Sequence, residues 1–321
     1  MAKKKTTKKT TKKTTPNLQE TIIIGAGIAG CTASIYAARK KMDFILLTEK
    51  FGGQFYESGE VLNYPGIKQT TGAEFSKLME DQLSFNGVKP KTGVLVKKIQ
   101  KKGKNFLIKT NKKDYTTKTV IIATGSHPRK LNIPGEDKFQ KLGVTYCAIC
   151  DGPIFSGQEV AVVGGGNSAL EAVDFLLNVA KKIPLINIHD TFNAHQYLID
   201  TIKKHPKVNI ISNAKTVEIF GDKFVKGIKY EQDGKTKELN VTGVFVEIGR
   251  VSNTDFVKGL VKLDNHGHVV VDCQMNSSVP GIFAAGDCSS VHEYQYVISA
   301  GNACTALLKA AKFLAQGGNK K

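Results

Sequence analysis

Short apolar runs rich in β-branched residues, each ending in a glycine cluster, set the rhythm of this chain. Thr21-Ile22-Ile23-Ile24 has no polar alternation, which predicts a strand covered on both faces, and Cys31 to Lys41 is rich in helix formers. Phe44-Ile45-Leu46-Leu47 predicts a second strand that ends at Thr48-Glu49. The order then recurs. Glu159-Val160-Ala161-Val162-Val163 predicts a strand, Leu170 to Ala180 a helix, and Ile183-Pro184-Leu185-Ile186-Asn187-Ile188 a further strand that runs into His189-Asp190. Strand, turn, helix and strand appearing twice predict an α/β fold with two Rossmann-like dinucleotide-binding units.

The uncharged stretch Thr21 to Ala38 follows a Lys-rich segment and so imitates a signal peptide or a short membrane span. Its three Gly, together with Thr, Cys, Ser and Tyr, and Glu20 directly before it make it a poor hydrophobic block. The glycines have a better use. Gly25-Ala26-Gly27-Ile28-Ala29-Gly30 is GxGxxG: the first Gly permits a tight turn, the second admits a pyrophosphate to the backbone, and the third lets helix and strand pack closely. Glu49 lies where an acid would accept ribose hydroxyls. Gly164-Gly165-Gly166-Asn167-Ser168-Ala169 repeats the device as GxGxxA. Two such units in one chain suggest a flavoprotein that receives hydride from a nicotinamide.

Between the units stands Cys147-Ala148-Ile149-Cys150-Asp151. A zinc site would need two more ligands, and no second CxxC or HxxxH accompanies this one, so a redox-active dithiol is expected and no metal. Asp151, adjacent to the second sulfur, is the candidate proton partner; the alternative is a turn former ahead of Gly152-Pro153. Six Cys in 321 residues are too sparse for a secreted disulfide scaffold, which favours a reducing, cytoplasmic setting.

The charge is strongly positive, 46 Lys+Arg against 28 Asp+Glu, or +18. Seven of those charges are lysines of residues 1–15, a Lys-Thr repeat expected to be a disordered tail through residue 16, leaving +11 on the rest. The tail is either an electrostatic arm for nucleic acid or an anionic surface, or a solvated appendage. No aromatics accompany the lysines, and the second reading is preferred.

In order along the chain, further motifs complete a resemblance: Gly52-Gly53-Gln54, Asn63-Tyr64-Pro65-Gly66, Ala123-Thr124-Gly125, the CxxC, GGGNSA, Gly243 to Arg250, and Gly281 to Asp287. From about Leu18 to the C-terminus the chain resembles the low-molecular-weight thioredoxin reductases, FAD-dependent pyridine nucleotide-disulfide oxidoreductases. The resemblance implies a discontinuous FAD domain, 17–125 and 250–321, with a nicotinamide-type domain, 126–249, inserted through two strand-like crossovers. It implies FAD contacts from Gly25, Gly27, Gly30, Thr48 and Glu49, then from Gly53, Gln54, Asn63 and Thr124, and finally from Gly286, Asp287 and Gln295. Nicotinamide contacts fall to Gly164, Gly166, Asn167, Ser168, Ala169 and Asp190. Cys150 is the implied flavin-facing sulfur and Cys147 the nucleophile toward a thioredoxin or glutaredoxin-like disulfide. Because only the tail precedes Leu18, the acceptor is expected to be a separate protein. A homodimer and a rotation of the inserted domain are also implied.

Two departures matter. Tyr294 stands where the family has Arg before Gln295. Asn187-Ile188-His189 and Asn193 stand where NADPH-using members carry a His-Arg-Arg run and a further Arg. Without those three arginines, NADH is expected rather than NADPH; a ferredoxin- or deazaflavin-dependent reductase is the alternative. A basic-tailed flavin-fold protein that binds nucleic acid or membrane is the competing class.

Overall fold

The structure is a computed structural model that describes residues 18–58 and 60–318; the Lys-Thr segment lies outside them. Two separate sheets carry the molecule, the first mixed and the second parallel. In the first, Leu18–Ala26 lies between Phe44–Phe51 and Tyr115–Ile122, parallel to both. Tyr115–Ile122 is shared: its first half pairs with the antiparallel meander Asn105–Thr110 and Val96–Lys102, its second half with Ile282–Ala284. The second sheet runs in the order Val208–Ile211, Ile183–Ile186, Val160–Val163, Gly243–Val246, Val144–Thr145, parallel throughout. A three-stranded antiparallel sheet, Lys215–Gly221, Val225–Gln232 and Lys235–Asn240, accompanies it.

The unbroken apolar runs are explained by what covers each face. Ile23, Leu46, Ile121 and Phe283 pack on the helices Ile28–Arg39, Gly72–Phe85 and Tyr296–Ala315, while Ile22, Ile24, Val120 and Ile122 face a second cluster with Val257 and Val269. In the other sheet Val160, Val162 and Leu185 face the helices Asn167–Leu176 and Gln196–Lys204, whereas Ala161, Val163 and Val244 face the antiparallel sheet. Successive residues point to opposite covered faces, so neither face can be polar.

The second sheet's strands all lie between Val144 and Val246, inside the sequence that builds the first. The α/β, twice-Rossmann-like reading is thereby met. Where the chain passes between the sheets, Ser126–Pro128 and Arg250–Ser252 pair antiparallel, Ser126 opposite Ser252. Both helices of the glycine units start earlier than their composition predicts, at Ile28 rather than Cys31 and at Asn167 rather than Leu170. The reason is that Gly27 and Gly166 are themselves the N-caps, so the last glycine or alanine of each motif lies inside the helix. Cys31 is a fully buried core residue whose thiol burial pushes up to about 12, which makes it inert. No described helix is long and apolar enough to cross a membrane.

Candidate functional site

The first glycine turn is built by close backbone approach. Gly25 sits at φ +101°, and a Cβ there would overlap the Ala123 carbonyl; a Cβ on Gly30 would overlap the Gly25 carbonyl oxygen. Only glycine lets the helix Ile28–Arg39 start this close to its strand. Gly27, by contrast, has nothing within 4 Å of where a Cβ would be. It opens onto a cleft of about 2020 Å³, and the helix behind it has no side-chain cap and no acid in its first turn. Unsatisfied N–H groups and the positive helix end therefore face empty space, which suits a pyrophosphate.

The same cleft is lined by Gly25, Thr48, exposed Glu49, Gly53, Gln54, Asn63 and Thr124, and on its far wall by Gly286, Asp287 and Gln295; Gly30 acts from behind, through packing alone. Gln54 donates from Nε2 to Asp287 Oδ2 at 2.8 Å and to the Ser126 carbonyl at 2.7 Å. Arg250 donates from Nη2 to Gln54 Oε1 and from Nε to Ser126 Oγ at 2.9 Å, and lies 3.9 Å from Asp287. Burial raises the Asp287 carboxyl above the ordinary carboxylate range, opposed mainly by the Arg250 charge. Asn63 Nδ2 donates to Gln295 Oε1 at 3.3 Å, closing the rim.

Cys147 and Cys150 are joined as a disulfide, with Cα atoms 5.4 Å apart, at the start of the short helix Ala148–Asp151. Both line the large cleft. Cys150 also borders a smaller cavity of about 150 Å³ shared with Asn63, Ser58 and Tyr296. Asp151 accepts a hydrogen bond from Thr145 Oγ1, and burial raises its carboxyl above the usual range despite that bond. A carboxyl so shifted can hold a proton beside the sulfurs and release it. Tyr296, whose hydroxyl is paired with Ser58 Oγ, has its phenol raised by burial and stays protonated.

The second glycine unit is not brought to this cleft. Ser168 alone of its six predicted residues lines it; Gly164, Gly166, Asn167, Ala169 and Asp190 do not. Gly166 again caps a helix without side-chain help. Asn167 Oδ1 accepts from the His195 amide at 2.8 Å, and the Asn193 amide donates to the Gly165 carbonyl at 2.9 Å. Asn187 is folded inward, 2% exposed, donating to the Thr191 carbonyl at 2.8 Å, and a Cβ on Gly165 would overlap it. Ile188 is 59% exposed, and His189, Asp190 and Asn193 are exposed beside it. None of the positions 188, 189 or 193 carries an arginine.

The matching family model, Pyridine nucleotide-disulphide oxidoreductase, covers residues 19–305. The chain belongs to that family. The family implies FAD, and the open glycine turn, the uncapped helix end and the volume of the cleft fit a dinucleotide. The chain is 33% identical to the thioredoxin reductase of Streptococcus pyogenes MGAS5005, with a TM-score of 0.87 over 94% of this chain and 100% of that one. It is 38% identical to the F subunit of alkyl hydroperoxide reductase from Staphylococcus aureus (strain MSSA476) and 36% to an NADH dehydrogenase of Bacillus subtilis (strain 168), over 92% of this chain in each case. It spans 59% and 58% of those two relatives. The resemblance read from the seven motifs is borne out at the level of family and fold.

Several site residues escaped the sequence reading. Arg250, Ser126, Ser58 and Tyr296 join the cleft only through tertiary contacts. Glu247 is another: it follows the strand Gly243–Val246, takes the Ala148 amide on its carboxylate, and is pushed up to about 8 by burial. Asp264, His268 and His292 gather near Tyr294, and burial lowers the His268 imidazole despite the Asp264 carboxylate. A family motif signals Glu247 and Arg250; nothing in the spacing of 264, 268 and 292 signals the rest.

Proposed function

We propose that this chain is a flavin-dependent disulfide reductase that passes two electrons from NADH to the disulfide of a thioredoxin or glutaredoxin-like protein. The observation that carries the reading is that the Cys147–Cys150 disulfide lines the same cleft as the open glycine turn, Gln54 and Asp287. FAD held there supplies a two-electron carrier between nicotinamide and disulfide. The FAD-type part is assigned to 17–125 and 250–321 and the nicotinamide-type part to 126–249.

Once the pair is reduced, Cys147 as thiolate attacks a sulfur of the partner disulfide, and the partner's second sulfur leaves as thiolate. Cys150 then attacks the mixed disulfide at Cys147, restoring the intramolecular bond, while Asp151 exchanges the proton that the sulfurs need. Cys150 is assigned the flavin side because it also borders the cavity with Asn63 and Tyr296. The sulfurs cannot meet a protein partner while they face the cleft, and the second glycine unit cannot serve the cleft while it lies outside it. One rotation of 126–249 about the paired strands Ser126–Pro128 and Arg250–Ser252 exchanges the two, which is the role proposed for these crossovers.

NADH is preferred over NADPH because Ile188 is apolar, Asn193 is neutral and His189 stands in place of the remaining arginine. Hydrogen bonds to charged groups contribute roughly 1.5–3 kcal/mol each; two absent clamps correspond to a ~10²–10⁴-fold weaker NADPH site. Stopped-flow reduction of the flavin tests this: bleaching by NADH at far lower concentration than NADPH is expected. Bleaching by neither would hand the role of donor to ferredoxin or a deazaflavin. In a coupled thioredoxin–insulin assay, Cys147→Ser is expected to abolish turnover while leaving flavin reduction intact. Turnover that survives this change would remove the dithiol from the path.

A further inference from the structure

At the rim of the cleft, three ligand-type side chains from two distant segments converge. Asp264 Oδ1 accepts the backbone amides of His266 and His268 at 2.8 and 2.9 Å, which fixes the carboxylate's orientation. Its second oxygen, Oδ2, is then aimed between two imidazoles. His268 Nδ1 is 3.2 Å from it and His292 Nε2 is 3.1 Å from it, the former also 3.3 Å from Oδ1. Yet Oδ2 is completely buried and receives no hydrogen bond of acceptable geometry from either ring. The His268 and His292 rings are edge to face with centroids 4.6 Å apart, and all three ligand atoms lie within 4.8 Å of one another.

The two nitrogen–oxygen separations are those of a coordination shell. Bonds of about 2.0 Å in tetrahedral geometry place neighbouring ligand atoms roughly 3.3 Å apart. An outer partner is also present: His268 Nε2, the nitrogen away from the carboxylate, is 3.1 Å from the Tyr294 hydroxyl, an arrangement that orients a metal-ligating imidazole. His266 stands nearby, its ring centroid 6.3 Å from both others, with room to supply a fourth ligand or leave the position to water.

We propose that Asp264, His268 and His292 form a binding site for one divalent transition-metal cation, of the zinc or cobalt type, at the rim of the cleft. Two imidazoles and one carboxylate exclude the hard cations magnesium and calcium, which take oxygen ligands. The ion ties the segment 289–295, which carries Tyr294 and Gln295, to the turn at 264–268. Its place is thus structural, one residue removed from the group formed by Arg250, Gln54 and Asp287. The site is independent of the electron donor and of the disulfide substrate.

Cobalt titration tests it, on untagged protein with its flavin retained and the Cys147–Cys150 disulfide intact. Expected is one saturable equivalent of Co²⁺, with ligand-field absorption to the red of the flavin bands, displaced by Zn²⁺. Because the His292 side chain is about half exposed, His292→Ala should fold normally. It and Asp264→Asn are each expected to weaken binding at least about tenfold, whereas His205→Ala, at the C-terminal end of the helix Gln196–Lys204, leaves it unchanged. Absence of saturable binding, an affinity unmoved by either of the first two changes, or equal weakening by His205→Ala would overturn the proposal.

Discussion

Replacing Glu247 by Gln isolates one proton. The carboxyl lies at the end of the strand Gly243–Val246 against the helix that carries the dithiol, and burial pushes it up from an ordinary 4.5 to about 8. The favourable charge of Arg250 and the Ala148 amide oppose that shift without cancelling it. The folded chain therefore keeps a proton that the unfolded chain releases above about pH 4.5. Stability from this group is complete below that value, falls as pH rises, and is fully lost above about 8. At about 1.4 kcal/mol per pH unit, the native protein should lose about 3 kcal/mol through this group between pH ~5.5 and ~8.5. A Gln at 247 keeps the shape and has no proton to lose. Urea unfolding of both proteins in the disulfide form, at matched flavin saturation, reads the difference. The Gln variant's advantage should grow by about 3 kcal/mol over that interval. An advantage that stays constant within about 1 kcal/mol would refute a protonated Glu247 in the neutral protein.

The remaining expectations are separable from that one. Gly30→Ala pushes a methyl into the Gly25 carbonyl, so it should lower stability by at least about 3 kcal/mol or prevent flavin loading, read by thermal unfolding and by the flavin spectrum. Ile188→Arg with His189→Arg and Asn193→Arg should raise kcat/KM for NADPH about a hundredfold; unchanged NADPH kinetics would show that more than the phosphate clamp is missing. Asp151→Asn should slow thiol–disulfide exchange about a hundredfold and remove the limb of the pH–rate profile that follows the raised carboxyl, with flavin reduction unaffected. A profile that keeps that limb would assign it to another group.

What the sequence disclosed was local. The glycine turns, the CxxC and the strand preceding each turn are short patterns read within a dozen residues, although at Gly25 the overlap that excludes any other residue comes from the distant Ala123 carbonyl. Covered strands were legible for the same reason, since Ile22, Ile23 and Ile24 need no knowledge of their partners to exclude a wet face. The helix starts at Ile28 and Asn167 were missed because glycine is read as a breaker, whereas here it is the cap. Arg250 was legible as the end of a family motif but not as a partner of the cleft residues. Its partners Gln54 and Asp287 lie far away in sequence, and only the pairing of Ser126–Pro128 with Arg250–Ser252 draws it into the cleft. The cluster at 264, 268 and 292 has no periodic signal, because it joins a turn to a loop that follows another strand.

Tyr294 shows how a departure from a family pattern acquires meaning only in three dimensions. Read along the chain, it removes a positive charge beside Gln295 and weakens the case for a phosphate contact. In the fold, the guanidinium of Arg250 lies over the Tyr294 ring, 4.9 Å from its centroid, so a cation remains at this wall of the cleft, supplied from another segment. An arginine at 294 would stand against Arg250 with the same charge and would leave His268 without its hydroxyl partner. The aromatic ring instead does two things at once. Its face seats the arginine that holds Gln54 and approaches Asp287, and its hydroxyl orients the imidazole behind. The substitution therefore ties the cleft to the histidine cluster, and Tyr294→Phe, which keeps the face and loses the hydroxyl, separates the two roles.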